Sequence, residues 1–363
     1  DAMVGMEYYD NYTKGFSASG YGATTDDFQD LQYTSSKENA RSIDSWHGRQ
    51  RIMSFFGRLN YDYQSKYLVS MVLRRDGYSK LAKDNRWGFF PGISAGWVFG
   101  KEKFMEKYRD IISFAKLRAS YGANGNVSDI DNYTVQGAYG AVTNYNGATS
   151  LVVTTVPNPG LRWEKSYTFE GGLDISFLQN RLNANITLYN RHTKDKFANI
   201  VLPSHSGISS ILSNNGEVQN KGLEMQLNAR ILDKKDLKWD VVWNMAYNKN
   251  KIVALPNNGL ERNRQSAFQV YTGNGEDKMW VGGYQEGQEP GVIYAFKAEG
   301  LYKSYDEIPG NLIDKTTGNN GANGKYKLYG PTAWAALTDA EKSTGRLPIQ
   351  PGDVKWKDVN NDG

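Results

Sequence analysis

The chain has no cysteine, three histidines and no long apolar run. Without cysteine there are no disulfide scaffolds, thiolate metal sites or cysteine nucleophiles, which suits a protein that crosses an oxidising compartment without bridges. His47, His192 and His205 are scattered with no ligand spacing and read as loop histidines. No stretch approaches the roughly 18 apolar residues of a transmembrane helix, so a helical membrane protein is excluded. Neither sign of charge dominates: 43 Lys and Arg stand against 39 Asp and Glu, for a net charge of +4. With no basic cluster, that balance argues against a nucleic-acid partner. The opening Asp1-Ala2-Met3-Val4 has neither a charged n-region nor an apolar h-region. The final Asn360-Asn361-Asp362-Gly363 stops inside a turn-like segment, so the chain reads as an internal piece of a longer protein.

What is abundant is aromatic side chains and glycine: 24 Tyr, 14 Phe, 9 Trp and 38 Gly in 363 residues. Aromatics separated by short polar and glycine-rich gaps favour strands and turns. Period-2 alternation recurs along the chain. Met53, Phe55, Gly57, Leu59, Tyr61 and Tyr63 share one face, and Tyr67, Val69, Met71 and Leu73 follow after a link at 64–66. Trp163, Lys165, Tyr167, Phe169, Gly171, Leu173, Ile175 and Phe177 form the longest such face, turning at 178–180 into Leu182, Ala184, Ile186 and Leu188. Leu223 to Ile231 and Trp239 to Tyr247 repeat the pattern around a turn at 233–236. Further strands are expected at 88–99, 114–122 and 3–9.

Several runs exceed ten residues, whereas soluble strands typically have about 5–6 and a tilted membrane strand needs about 9–11. Trp163 and Phe177 bracket their apolar stretch as interfacial girdles do. Lys165 interrupts that face near a strand end, where its ammonium can snorkel to the headgroups. Short links at 64–66, 178–180 and 233–236 alternate with long polar connections at 9–51, 75–87, 123–162 and 192–216. That asymmetry matches short periplasmic turns and long external loops. The link at 100–113 is longer than its side of the pattern requires, and 101–112 reads as a brief periplasmic helix. The expected fold is all-β, a transmembrane antiparallel β-barrel with long extracellular loops. Residues 1–250 supply spanning strands and loops; residues 251–363, rich in Gly, Asn and Pro, form a large external region with short strands, one of them at 292–302.

Particular motifs carry a family resemblance. Phe89-Phe90-Pro91-Gly92-Ile93-Ser94-Ala95-Gly96-Trp97, Leu117-Arg118-Ala119-Ser120-Tyr121-Gly122-Ala123-Asn124-Gly125-Asn126 and Asn158-Pro159-Gly160-Leu161-Arg162-Trp163-Glu164-Lys165 appear in order. Asn220-Lys221-Gly222-Leu223-Glu224, Ala246-Tyr247-Asn248-Lys249-Asn250-Lys251-Ile252 and Pro351-Gly352-Asp353-Val354-Lys355-Trp356 follow. Each is weak alone; together, across nearly the whole chain, they resemble the barrel of SusC/RagA-type TonB-linked outer-membrane proteins. The resemblance implies part of a 22-stranded transporter barrel whose lumen a plug closes. It further implies a bacterial outer-membrane location in contact with lipid and a SusD-like surface lipoprotein as lid. The substrate it implies is an oligosaccharide or a peptide, taken up with energy from TonB. The signal peptide, plug, TonB-contacting segment and closing strands are not in this stretch, and no catalysis or required cofactor is implied.

A hydrophilic solute held by such a protein would meet aromatic faces together with Asn, Asp and Arg side chains. Loop positions of that chemistry are Trp46, Tyr139, Asn144, Tyr145, Arg262, Asn263 and Trp280. The plainer reading is that these side chains pack loops against one another or against the lid. Asp358, Asn360 and Asp362, ahead of Gly363, fit the first half of a D-x-N-x-D-G calcium loop, with an Asx-rich turn as the alternative. Ser204-His205-Ser206 near Asp195 has no nucleophile elbow, and the glycine-rich 273–275 and 318–324 lack the residues of a phosphate cradle. Three rival functions share part of this pattern. A diffusion porin would share the strands and loops but need no plug or lid. A soluble β-rich carbohydrate-binding or glycan-degrading module would have shorter strands. A metal-chelate receptor would share the barrel.

Overall fold

The computed structural model describes residues 1–28, 30–37, 40–145, 148–271, 278–295, 297–314, 327–343 and 346–357. The chain divides into two compact units, residues 1–258 and 259–363. The first unit is built on β1 (Ala2–Gly20), β2 (Arg41–Tyr63), β3 (Tyr67–Tyr78), β4 (Trp87–Trp97), β5 (Ile112–Asn126), β8 (Glu164–Phe177), β9 (Leu182–Val201), β10 (Ser210–Asp233) and β11 (Lys238–Ala254). These nine strands form one sheet in the order β1-β2-β3-β4-β5-β8-β9-β10-β11, antiparallel at every pairing. The remaining two strands, β6 (Ala138–Tyr145) and β7 (Ala148–Thr155), form a separate hairpin inside the β5–β8 connection. Sequential antiparallel neighbours throughout make this an up-and-down sheet, the topology of a barrel wall.

Register fixes what each face presents. Leu173, Ile186, Met225 and Met245 lie side by side across β8 to β11. Ile175, Ala184, Leu227 and Trp243 form the row below, and Gly171, Leu188, Leu223 and Tyr247 the row above. The same parity carries Tyr63, Tyr67, Trp97 and Leu117 on β2 to β5. The opposite parity carries Asn60, Ser70, Ser94, Arg118, Asp174, Asn185, Gln226 and Asn244. One face is therefore apolar and the other polar. The apolar face is uncovered: Leu73 and Phe169 are each 54% exposed and Leu188 60%. So broad an uncovered apolar surface is rare on soluble domains, and lipid is the solvent that tolerates it. Along the sheet the apolar stretch shifts. It covers Tyr63 up to Met53 on β2 but Val241 to Tyr247 on β11, whose Met245 is in register with Tyr63 through the intervening strands. Tilted strands in a staggered wall require such a shift.

Links of three and four residues, at 64–66, 178–181 and 234–237, and the longer 98–111 link between β4 and β5 lie at one end of the sheet. Gln64 and Ser65 both take left-handed φ, +53° and +49°, the primed-turn geometry that matches strand twist. The Asp62 carboxylate accepts the Ser65 amide at 2.7 Å and holds that turn. The expected helix near 101–112 is present as two 3-10 turns, Phe99–Lys101 and Lys103–Tyr108. At the other end the strands run further than alternation suggests. The expected connections at 9–51 and 192–216 contract to 21–40 and 202–209, because β1, β2, β9 and β10 continue as a paired ladder.

Another departure concerns Trp163, expected as a girdle residue. It is 6% exposed, just before β8, and packs edge-on against Tyr78 and Phe90 with centroids 6.2 and 5.3 Å away. Its indole donates to the Arg86 carbonyl at 2.9 Å, the partner a buried Trp needs. With Leu81, Ile130, Val135, Leu161 and Phe197 these rings form the main core of the first unit. Tyr78 and Phe90 have the parity of the polar face, so the loops of the long-loop end pack onto that inner face.

The second unit pairs β12 (Phe268–Tyr271) with β13 (Lys278–Val281) and β14 (Ala298–Leu301) with β18 (Val354–Trp356). Between them β15 (Ile313–Asp314), β16 (Lys327–Tyr329) and β17 (Arg346–Pro348) form a three-stranded sheet beside α1 (Pro331–Ala335) and α2 (Asp339–Lys342). A small core of Tyr302, Ile308 and Ile349 supports it. The strand expected at 292–302 is shorter, only β14.

Candidate functional site

Below the loop core, the inner face of β2 to β8 is a polar trough of about 760 Å3, lined by Asn60, Ser70, Ser94, Lys116, Arg118 and Glu170 among others. The small residues keep it open. Gly92 and Gly122 face each other across β4 and β5, and the Arg118 side chain lies over Gly172. Arg118 pairs with Asp174 at 3.2 Å and also bonds the Thr187 hydroxyl, tying β5 to β8 and β9 across the inner wall. Higher up, Arg74 holds Asp76 at 2.7 Å, Glu7 at 2.8 Å and the buried Ser54 hydroxyl at 3.0 Å. This wall is lined by donors and acceptors held in fixed positions by these networks. Sequence reasoning missed these residues because each network joins strands whose register only the fold supplies.

The loop core owes its position to the Asn158–Lys165 motif. Asn158 donates to the Leu212 carbonyl at 2.7 Å and accepts the Gly160 amide at 3.1 Å, while Leu161 is fully buried. Asn214, itself buried, accepts the Arg162 amide at 2.9 Å and donates to the carbonyls of Arg162 and Asp195 at 2.9 and 2.7 Å. Glu164, its side chain 3% exposed, accepts the Phe197 amide at 2.6 Å and the Asn126 amide group at 2.8 Å, with the Lys196 ammonium at 3.4 Å. Phe90 fits because Gly88 and Gly125 flank its ring; a Cβ on either would come within 2.3 Å of it. The loops are therefore held in a fixed arrangement on the inner face above the trough.

At the short-turn end, Glu102 accepts the Tyr67 hydroxyl at 2.8 Å and the Trp97 indole at 3.3 Å and pairs with Lys66 at 3.2 Å. The Tyr67 and Trp97 hydrogen bonds, with Lys66 behind them, hold its carboxyl below the usual glutamate range. This cluster anchors the residues after β4 to the β2–β3 turn.

The residues singled out for solute contact fall in three places. Trp46 lies on β2 with inner-face parity, over Gly15 of β1, and is 53% exposed. Tyr139, on β6, is 73% exposed. Asn144 and Tyr145 fall on the same strand, and their side chains lie outside the described residues. Arg262, Asn263 and Trp280 belong to the second unit. Arg262 adopts left-handed φ +54° and its carbonyl accepts the Glu286 amide at 3.1 Å. Asn263 donates to the Glu286 carboxylate at 2.9 Å, and the Arg264 guanidinium lies 5.6 Å from the Trp280 ring centre. The last three are thus drawn into one small lobe. No hydrogen bond or ring contact joins Trp46 to Tyr139 among the described residues. Among those residues no group of three acidic or histidine side chains could hold a metal ion, and Asp358, Asn360 and Asp362 lie outside them. Ser204-His205-Ser206 form a 3-10 turn, and Asp195 is paired with Arg162 at 2.6 Å.

An apolar outer face and a polar inner face describe a barrel wall; among the described residues no helix is long and apolar enough to cross a membrane. Residues 2–345 match the family described as TonB dependent receptor-like, beta-barrel. The chain belongs to that family. This TonB-dependent receptor segment is 31% identical over 318 residues to TonB-dependent receptor P39 of Formosa agariphila, covering 86% of this chain and 28% of that protein. It is 30% identical over 335 residues to TonB-dependent receptor SusC of Bacteroides thetaiotaomicron, covering 89% of this chain and 32% of that one. Among solved structures, the RagAB peptide importer in its closed-closed state superposes with a TM-score of 0.67 at 27% identity, over 83% of this chain and 32% of the other. The chain spans about a third or less of the length of these relatives. The family resemblance expected from the motifs and the all-β barrel fold are borne out. The protein resides in the bacterial outer membrane, with the Leu173–Met245 row and its neighbours facing lipid. The family is one of receptors and transporters, not of enzymes.

Proposed function

We propose that this chain forms part of the wall of a TonB-dependent importer that carries a hydrophilic oligomer, an oligosaccharide or a peptide, across the outer membrane. The observation that carries the reading is the loop core packed on the inner face above the polar trough. A wall narrowed by fixed, buried loops suits a solute that is bound and then released, rather than one that drifts through an open channel. The likeness to SusC and to the RagAB peptide importer supports the same reading. It also supports a SusD-like surface lipoprotein as the partner at the mouth, with TonB acting on another part of the whole protein. Within the chain, residues 251–363 form the external region. Trp46, on the inner parity near the mouth, is the aromatic face best placed to stack on a sugar ring or a peptide side chain.

The test uses the whole parent protein, produced in outer membranes with and without functional TonB and offered labelled oligosaccharides and labelled peptides. Expected are uptake of one class only when TonB is functional, a gel mobility that changes on boiling, and a lipoprotein that co-migrates before boiling. Uptake of equal rate without TonB would make it a diffusion porin. Recovery in the soluble fraction with no mobility change would remove the barrel reading altogether.

A further inference from the structure

The outer face changes character abruptly above its apolar rows. Next above Leu188, Leu223 and Tyr247 come Asn190, Lys221 and Lys249, directly opposite one another on β9, β10 and β11, while Phe169 and then Tyr167 keep β8 aromatic beside them. The row after that holds His192, Gln219 and Lys251. One step higher, Lys165 of β8 faces Lys194 of β9. Five lysines thus crowd one outward patch, and two of the cross-strand pairs, Lys221–Lys249 and Lys165–Lys194, are lysine directly against lysine. Opposed residues of one sheet face have Cβ atoms about 4.5–5.5 Å apart, and like charges there are destabilising. Acidic relief is scant: Glu217 sits 3.2 Å from the His192 ring, Asp195 is paired with Arg162, and none of the five lysines forms an ion pair among the described residues.

We infer that this patch is a docking surface for phosphate-bearing glycolipid headgroups of the outer leaflet. Two facts choose that occupant. The lysines continue the lipid-facing surface without a break, on the side of the apolar rows away from the short turns, so they stand at outer-leaflet headgroup height. Their charge also needs a multivalent anion that bridges neighbouring strands, and a phosphate with three acceptor oxygens between two opposed ammonium groups turns their repulsion into attraction. Solvation alone would leave each pair repelling. The inference rests on the outer-membrane location and not on import, so its failure leaves the proposed transport intact.

The full-length parent protein in mild detergent is titrated with diphosphoryl lipid A, with its fully dephosphorylated form and with phosphatidylglycerol, following bound lipid by native mass spectrometry and the thermal midpoint. The diphosphoryl lipid is expected to bind and raise the midpoint, with little from the other two. The K165Q/K194Q/K221Q/K249Q variant is expected to bind it more weakly, on the order of fivefold per lysine removed, while the corresponding arginine variant retains binding. Boiling-dependent mobility checks that each variant is folded, and K221Q and K249Q made singly carry the comparison should the fourfold change prevent folding. Equal binding by the glutamine variants, or an equal response to the dephosphorylated lipid or to phosphatidylglycerol, would overturn the assignment.

Discussion

Glu164 offers a sharp test of how the loops are held. Its buried carboxylate serves the Phe197 amide at 2.6 Å, the Asn126 side-chain amide at 2.8 Å and the Lys196 ammonium at 3.4 Å. Glu164→Gln keeps the volume and replaces one acceptor oxygen with a donor. That donor must then face either the Phe197 N–H or the Asn126 amino group. Asn126 cannot turn its oxygen inward freely, because that oxygen accepts the Ser128 amide at 3.1 Å. One charge-assisted hydrogen bond is lost and a donor is left unpaired, a cost of about 2–3 kcal/mol. Native-state hydrogen exchange on the parent protein reads this directly as faster exchange at the Phe197 amide, by roughly 30- to 150-fold. Amides of the β8–β9 ladder around Leu173 and Ile186 should keep their protection, since they lie far down the strands from Glu164. Unchanged protection at Phe197, or a loss spread evenly along the ladder, would refute the latch.

Leu161→Ala empties a fully buried position in the loop core and is expected to cost about 2–5 kcal/mol, read as a drop in denaturant midpoint, with the outer-face strands still boiling-sensitive on gels. The Glu102 carboxyl is held low by Tyr67, Trp97 and Lys66, so its stabilising effect is complete above the ordinary glutamate range and fades as pH falls through its lowered folded value. Glu102→Gln should therefore flatten the acid limb of a midpoint-against-pH curve, and an identical acid limb in both proteins would count against the cluster. Trp46→Ala, at a half-exposed side chain, should change stability by about 0.5 kcal/mol or less. If Trp46 stacks on the solute, its loss weakens affinity by roughly three- to tenfold, measured by calorimetry on the whole protein.

The lipid-facing half of the fold was legible because the bilayer imposes a period. Phe169 to Phe177 alternates so strictly that parity alone assigns its faces, and Trp239 to Tyr247 places its large side chains on one parity with only Val242 and Ala246 apolar on the other. Above the apolar rows the outer face no longer needs apolar side chains, and the alternation disappears while the backbone ladder does not. Asp10 with Arg49 and Arg51 illustrates this: a polar cross-strand cluster, at 2.6 and 3.2 Å, sits in a stretch that reads as loop. Trp163 was misplaced for a related reason. Its parity matches the lipid face, yet it precedes the first residue of β8 and its indole has a carbonyl partner inside the loop core. The inner-wall network of Arg118, Asp174 and Thr187 depends on pairings between residues 56 and 69 positions apart, which composition and spacing cannot supply.

The continued ladder of β9 and β10 carries the wall well past its last apolar rows. From Lys221 to Ser210, β10 extends roughly 36 Å along its own axis, or about 25–30 Å once tilt is allowed for. A paired ladder of that height keeps this side of the wall ordered as strand well beyond its last apolar row, where chain of the same length without pairing would be free to move. A macromolecule approaching this side of the sheet would first meet paired strands of fixed shape.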